Sequence, residues 1–414
     1  MLPLGRVEPT LVRGDESAAL SRKAGPSQDR DLSAAVRRSV KAALARWVMR
    51  QRLPDAARAA RAAVLRAVSR RWTEPRDEAF HPWDGAQHFA EDFTFVAVQR
   101  GFAVLARIEW LPGRQAQRVW LTLLGREAVY TLPGDGLLLE PCGDGARWRA
   151  GGLELDCVAP HREWRLQFRG KLLKRGLDEV GARAFAPDEA LVSARVDVTF
   201  LGEAEPFIPG TDDHPELVAR SLGDADWDLR LLRQLRRRRI RAYVQTGELH
   251  GVIGLDATIV AVNGASLRMH AWGDRDWGAS DAAFHGFFSL QGVDASRLWV
   301  HHAEFPWVTL EGGFAEGDGA ARKAVEDIGV MRERAPGSSP RHIGLNVEMA
   351  GGRLELEAAV VSAFTLEIDR RGSVRVALVA VETPDGQPAG WGLWVDQRRI
   401  DPRPRALTAQ QASP

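Results

Sequence analysis

From residue 93 to residue 396 the chain repeats one pattern, short stretches of alternating apolar and polar residues separated by turn residues. Side chains at i and i+2 of a strand share a face, so each stretch describes a ribbon with one buried side. A first series covers 93–98, 102–110, 117–124, 153–158, 164–168 and 194–200. Pro112-Gly113, Pro133-Gly134-Asp135-Gly136, Gly143-Asp144-Gly145 and Gly151-Gly152 punctuate it. A second series runs through 241–255, 257–262, 265–272, 283–290, 297–303, 307–312, 342–349, 353–368, 373–381 and 392–396. Asn263-Gly264 between two of these stretches is a strong hairpin signal. Many short strands without alternating helices predict an all-β barrel or sandwich and argue against βαβ units. Two series of similar size predict two related antiparallel barrels side by side, with a cleft between them and a mouth in each, where apolar ligands bind.

The flanks follow a different rhythm. Residues 1–30 are rich in Gly, Pro, Ser and charge and read as a disordered tail. Residues 31–74 read as a basic α-helical arm: Leu32, Val36, Val40 and Leu44 recur at helical spacing, and Pro54-Asp55 separates a second helix. Between 31 and 71 this arm carries Lys41 and Arg37, Arg38, Arg46, Arg50, Arg52, Arg58, Arg61, Arg66, Arg70 and Arg71, against Asp31 and Asp55. Such a pair suits peripheral contact with an anionic membrane, and equally a hairpin packed on a barrel with its arginines in water. The expected division is then 75–205 for the first barrel, 206–240 for a partly helical connector, 241–400 for the second barrel and 401–414 for a tail. The run Arg233, Arg236, Arg237, Arg238, Arg239 and Arg241 reads as a solvated face.

Composition narrows the function classes. A net charge of +1 argues against specific nucleic-acid binding. The 14 Trp against 2 Tyr suit either a greasy cavity or plain core filling. Cys142 and Cys157 are too few for a disulfide scaffold and have no zinc spacing. Residues 1–20 carry Glu8, Asp15 and Glu16 and no apolar core, so the expectation is a cytoplasmic protein, peripheral to the membrane if the arm binds lipid.

The densest chemistry lies at 268–278. On a strand, Arg268, His270 and Trp272 share a face, Gly273 lets the backbone turn, and Arg275, Asp276 and Trp277 follow. His270 and Asp276 are the candidate acid/base pair, and Trp272 and Trp277 offer indole faces to an apolar ligand or a developing cation. A carboxylic acid in an apolar pocket stays protonated by desolvation and can protonate an alkene. The same residues equally fit a structural role, with Arg275 and Asp276 as an ion pair closing the second barrel and the tryptophans as its plug.

The string His270-Ala271-Trp272-Gly273-Asp274-Arg275-Asp276-Trp277 resembles the H-S-W-G-x-R-D-W signature of proteins similar to hydroxyneurosporene synthase, the carotenoid hydratases, and of the AttH-like group. Tyr243, Gln245, Gly247 and Gly251 resemble its Y-x-Q-x-G segment, and His81-Pro82, the Glu91–Phe95 stretch and Leu153 to Phe168 resemble its first-barrel module. The resemblance spans roughly 75–398. It implies two lipocalin-like (calycin-type) barrels, with His270 and Trp272 lining an active site. Arg268, Arg275, Tyr243 and Gln245 join Trp272 and Trp277 as candidate ligand-binding residues. Two positions depart from the pattern: Met269 stands where the family carries an acid, and Ala271 where it carries Ser.

His301-His302 with Glu304 reads as structural, because adjacent strand residues face opposite sides. There is no phosphate loop and no G-x-S-x-G elbow, so no metal and no cofactor are expected. The expected partner is an apolar small molecule, an isoprenoid, steroid, polyketide or lipid. The protein either transforms it by proton transfer (hydration, isomerisation or cyclisation) or carries it, the arm docking the carrier to membrane or partner. A purely structural module is the third reading.

Overall fold

The computed structural model describes residues 74–134, 137–138, 147–176, 190–224, 240–275, 280–306, 308–317, 321–332, 341–368 and 372–399. The tail expected at 1–30, all but the last residue of the arm expected at 31–74, the tail expected at 401–414, Asp276, Trp277, Cys142 and residues 233–239 of the basic run lie outside these residues.

A 3-10 turn, Pro75–Glu78, leads into the first sheet. Pro75 sets the first dihedral of the turn, and the Asp77 carboxylate accepts the Glu74 backbone N–H at 2.9 Å. The strands of this sheet are β1 (Phe89–Gln99), β2 (Phe102–Leu111), β3 (Ala116–Gly125), β4 (Ala128–Thr131), β5 (Leu137–Leu138), β6 (Arg147–Ala150), β7 (Leu153–Ala159), β8 (Glu163–Gly176), β9 (Ala190–Gly202), β10 (Arg241–Leu255) and β11 (Thr258–Asp274). Eight of them close a barrel in the order β4-β3-β2-β1-β11-β10-β9-β8, with β4 pairing back to β8. The β6–β7 hairpin adds to the first half of β8.

The second barrel is β12 (Ala282–Leu290), β13 (Arg297–Phe305), β14 (Val308–Glu316), β15 (Lys323–Arg332), β16 (His342–Met349), β17 (Gly352–Ile368), β18 (Gly372–Glu382) and β19 (Pro388–Arg399), each pairing with its neighbour in sequence and β19 with β12. The partly helical connector contributes α1 (Pro215–Asp224), which lies against β14 and β15 with Leu217 in the barrel core. The protein is thus all-β with two closed antiparallel barrels side by side, as expected.

Two sequence expectations need correction. The hairpin 241–274, assigned to the second barrel, completes the first: β11 pairs along β1 from Phe89↔Asp274 to Val98↔Ala265. Period-two alternation identifies a strand but carries no information about which sheet takes it. Asn263-Gly264 is not a turn either. Both residues lie inside β11, and the chain reverses at Asp256-Ala257, with Leu255 opposite Thr258. Gly264 is there because β1 crowds it: a Cβ would sit 2.6 Å from the Val98 carbonyl oxygen.

β1 is buried along almost its whole length. Phe93, Phe95 and Ala97 enter the core of the first barrel, whereas Val96 and Val98 join a third core formed between the barrels. That shared core takes Leu105 and Trp120 from one barrel and Val376, Leu378 and Leu393 from the other. The barrels therefore meet through packed apolar faces, and β1 has no solvent side.

Candidate functional site

The two faces of β1 and β11 serve two different sites. On the inner face, Arg268, His270 and Trp272 do share one side, and all three are buried in the first barrel. The 3-10 turn brings Glu78 onto them. Its carboxylate accepts the Trp164 indole N–H at 2.7 Å and bonds from Arg268 and Tyr243, and it lies 2.8 Å from His161 Nδ1. Burial alone would raise the pKa of Glu78, but Arg268 and His161 outweigh it and hold the group far below the usual carboxylate range. The Tyr243 hydroxyl is pushed well above its ordinary value by burial and by Glu78. Arg268 also donates to the Gln245 side-chain oxygen at 2.6 Å, and Gln245 donates to the His161 and Ala204 carbonyls at 2.7 and 2.8 Å.

His270 is the hinge of this network. Its Nδ1 lies 3.2 Å from the Tyr243 hydroxyl and its Nε2 3.1 Å from Glu91 Oε1. Burial lowers the His270 pKa despite Glu91. The same Glu91 oxygen meets His81 Nδ1 at 2.8 Å, and its other oxygen takes the His81 backbone N–H at 2.9 Å. Phe93 stacks on His270 at 3.8 Å and Trp272 on His81 at 3.9 Å. Met269 faces the opposite side of β11, so the acid beside His270 is Glu91 of β1. The rest of the first barrel is filled by Phe95, Trp148, Trp164, Phe168 and Phe200.

The outer face borders a cavity of about 330 Å³ between the barrels. Asp92 reaches this side. It accepts Thr94 Oγ1–H at 2.9 Å, Arg107 at 3.1 Å, and Arg275. Arg107 also donates to Glu109 at 2.8 Å, and Arg118 to the other Glu109 oxygen at 2.7 Å. From the second barrel come His285 and His301, directly opposed on β12 and β13. Burial, Arg107, His301 and Arg275 depress His285 to about 3, so its ring is neutral, and its Nε2 has no hydrogen-bond partner among the described residues. His301 Nε2 lies 3.6 Å from Asp213, whose carboxylate is fixed by the Gly210 and Gly313 backbone N–H groups at 2.6 and 3.1 Å. Trp120, Trp299 and Met269 supply apolar walls. Two wider depressions, about 760 and 1190 Å³, are more open, and the larger has a rim of mostly polar residues.

A family model described as "Domain of unknown function (DUF7064)" matches residues 74–397. The chain belongs to this family. No curated protein matches it. Among solved structures it is similar to an AttH of Nitrosomonas europaea, at 9% identity and a TM-score of 0.44, over 79% of this chain and 97% of that one. It is also similar to CghA with Sch210972 (13%, TM-score 0.42, 75% and 88%) and to kievitone hydratase from Nectria haematococca (9%, TM-score 0.40, 74% and 88%).

In this DUF7064 chain the residues singled out from sequence divide between the two sites. Arg268, His270, Trp272, Tyr243 and Gln245 converge inside the first barrel. Arg275 turns to the other face, where it pairs with Asp92 and lies 4.0 Å from Glu109. The expected closure of the second barrel by Arg275 and Asp276 is therefore corrected: Arg275 belongs to the first barrel's outer wall, because β11 does. His301 and His302 do face opposite sides, His302 meeting Glu304 and Glu311 at 3.2 and 2.8 Å. Sequence reasoning missed Glu78, Asp92, Arg107, His161 and His285 as site residues, and Glu91 as the partner of His270. Acids within an apolar strand are the signal that could have found Glu91 and Asp92, since an unpaired charge would not be buried there.

Proposed function

We propose that this DUF7064 chain binds a small, partly apolar, oxygen-bearing molecule between its barrels and moves a proton on it. The observation that carries this reading is His285, a neutral imidazole with an unpartnered Nε2 at an aromatic-walled cavity, beside two arginines. A neutral imidazole there can accept a hydrogen bond from the ligand's hydroxyl or enol and so hold the oxygen beside the reacting carbon. Arg107 and Arg275 favour negative charge developing on the ligand's oxygen. His301, 3.6 Å from Asp213 on the same cavity, is the imidazole of the pair placed to take the ligand's proton and return it. Isomerisation, hydration and cyclisation all use these parts.

The cavity volume narrows the ligand. About 330 Å³ is at the small end of ligand pockets. This favours a compact isoprenoid, steroid fragment or polyketide unit over the forty-carbon chain of a carotenoid.

Binding without turnover is the second reading, and one observation favours it. Asp92 already accepts bonds from Thr94, Arg107 and Arg275, which leaves it little capacity for acid–base work. Native mass spectrometry of the purified protein should reveal a co-purifying small molecule. Incubating that molecule with wild type and with H285A decides between the readings: conversion by wild type alone supports catalysis, and an unchanged molecule with both supports carriage. Absence of any ligand, together with unchanged thermal stability across a panel of small oxygenated apolar compounds, would refute both.

A further inference from the structure

The cluster at the mouth of the first barrel has a property that the proposed function does not use. His81, Glu91 and His270 each offer one ligand atom, and these atoms all lie within 4.8 Å of one another. We propose that they form a divalent-metal site, with zinc the ion their donor set suits. Two imidazoles and one carboxylate are a three-donor set of the kind that keeps a fourth position for water or substrate.

Four features support a built site. First, the donors converge on one point: His81 Nδ1 and His270 Nε2 approach the same Glu91 oxygen at 2.8 and 3.1 Å. Zinc with ligand bonds of about 2.0–2.1 Å holds neighbouring donors roughly 3.3 Å apart, so the two Glu91 contacts need to open by only a few tenths of an ångström, while the two ring nitrogens, within 4.8 Å of each other, draw in to complete the set. Second, both rings are held in place, His81 by its stack on Trp272 and His270 by its stack on Phe93. Third, the far nitrogen of each ring faces the kind of partner that orients a metal-bound imidazole. His270 Nδ1 faces the Tyr243 hydroxyl, which is bonded to Glu78, and His81 Nε2 faces Asp77 at 4.0 Å. Fourth, among the described residues the buried carboxylates Asp77, Glu78 and Glu91 outnumber the one buried guanidinium nearby, Arg268, so the surroundings favour an added cation.

The ion has a way in. The His81 side chain keeps 14% exposure on the segment between the 3-10 turn and β1, whereas Glu91 and His270 are fully enclosed. The sequence expectation of no metal considered His301-His302 and the cysteines; the donors here come from three separate places and share no motif spacing.

Cobalt titration tests the proposal, because cobalt(II) in a zinc site absorbs in the visible range. Chelator-treated full chain is titrated with CoCl2, then with ZnCl2. The expected result is saturation at one equivalent, visible bands of low-coordinate cobalt, and their loss as zinc displaces it. His81 lies outside the strands, so H81A should keep its circular dichroism while affinity falls at least tenfold. D77N, which removes the outer carboxylate's charge but keeps an oxygen to accept the Glu74 N–H, should weaken binding by less, about threefold to tenfold. No stoichiometric cobalt binding by folded protein overturns the proposal, and so does binding that survives H81A unchanged.

Discussion

Glu78 and Arg268 provide the sharpest test of how the first barrel is held. Both side chains are at or near zero exposure, and each is the other's main charge partner. Substituting Glu78→Gln keeps the shape but leaves the Arg268 guanidinium buried without its counter-ion. Breaking a buried pair from one side costs about 3–5 kcal/mol. Arg268→Met should cost somewhat less, about 2–4 kcal/mol, because Glu78 retains Trp164, Tyr243 and His161 as partners. With both changed, neither charge is stranded. The double variant should therefore be more stable than the sum of the single losses predicts, by a coupling energy of about 1–3 kcal/mol. Urea unfolding of the four proteins, followed by tryptophan fluorescence, measures the cycle. Additive losses, or single variants within about 1 kcal/mol of wild type, would show that the 3-10 turn is not anchored through this pair and refute the reasoning.

Three more outcomes follow from other parts of the molecule. Burial would lower the His302 pKa, but hydrogen bonds to Glu304 and Glu311 hold it up to about 9 from an ordinary 6.5. Its imidazolium therefore adds stability that is complete below pH 6.5 and is lost as pH rises through 9. With Glu304 more than a third exposed, the contribution is about 1–2 kcal/mol, and His302→Gln should flatten that part of the pH–stability curve in thermal unfolding. Burial and Glu78 push the Cys157 thiol up to about 12, so peptide mapping after iodoacetamide treatment at pH 8 should show its labelling at least about a hundredfold slower in folded than in unfolded chain. A Cβ on Gly312 would lie 2.0 Å from Asp213 Oδ1 and 2.4 Å from His301 Nε2. Gly312→Ala should displace that pair, lower the melting temperature by several degrees and abolish turnover of any identified ligand, and an unaltered melting curve would remove Asp213 from its assigned orienting role.

The shared face of Arg268, His270 and Trp272 was readable from sequence because it depends only on period two. The partners of those residues were not. Glu91 is 179 positions from His270, and Glu78 is 190 positions from Arg268; local pattern says nothing about such pairs. Membership of the hairpin 241–274 in the first barrel was hidden for the same reason, since a strand looks alike in either sheet. Asn263-Gly264 misled more directly. Glycine marks turns and also places where another backbone comes too close for a Cβ, and only the Val98 carbonyl distinguishes the two. His285 carried no signal at all: an isolated histidine in an apolar strand acquires meaning only when Arg107, Arg275 and His301 arrive from elsewhere.

The barrel interiors explain why the candidate ligand space lies between them. A barrel of eight strands has room for side chains or for one small ligand. Phe93, Trp148, Trp164, Phe168 and Phe200 take that room in the first barrel, and Phe288, Trp394 and branched aliphatics take much of it in the second. A filled barrel loses its cavity but gains stiffness, because close-packed interiors deform little. That stiffness is what the cleft requires. Asp92, Arg107, His285 and His301 sit on strands, and those strands are clamped from behind by the packed cores, so their positions relative to a ligand are set before it arrives. The tryptophan-rich composition is thus better accounted for as scaffold than as ligand lining. Only Trp120 and Trp299 reach the cavity wall from the described strands, and both also pack in the core shared by the barrels.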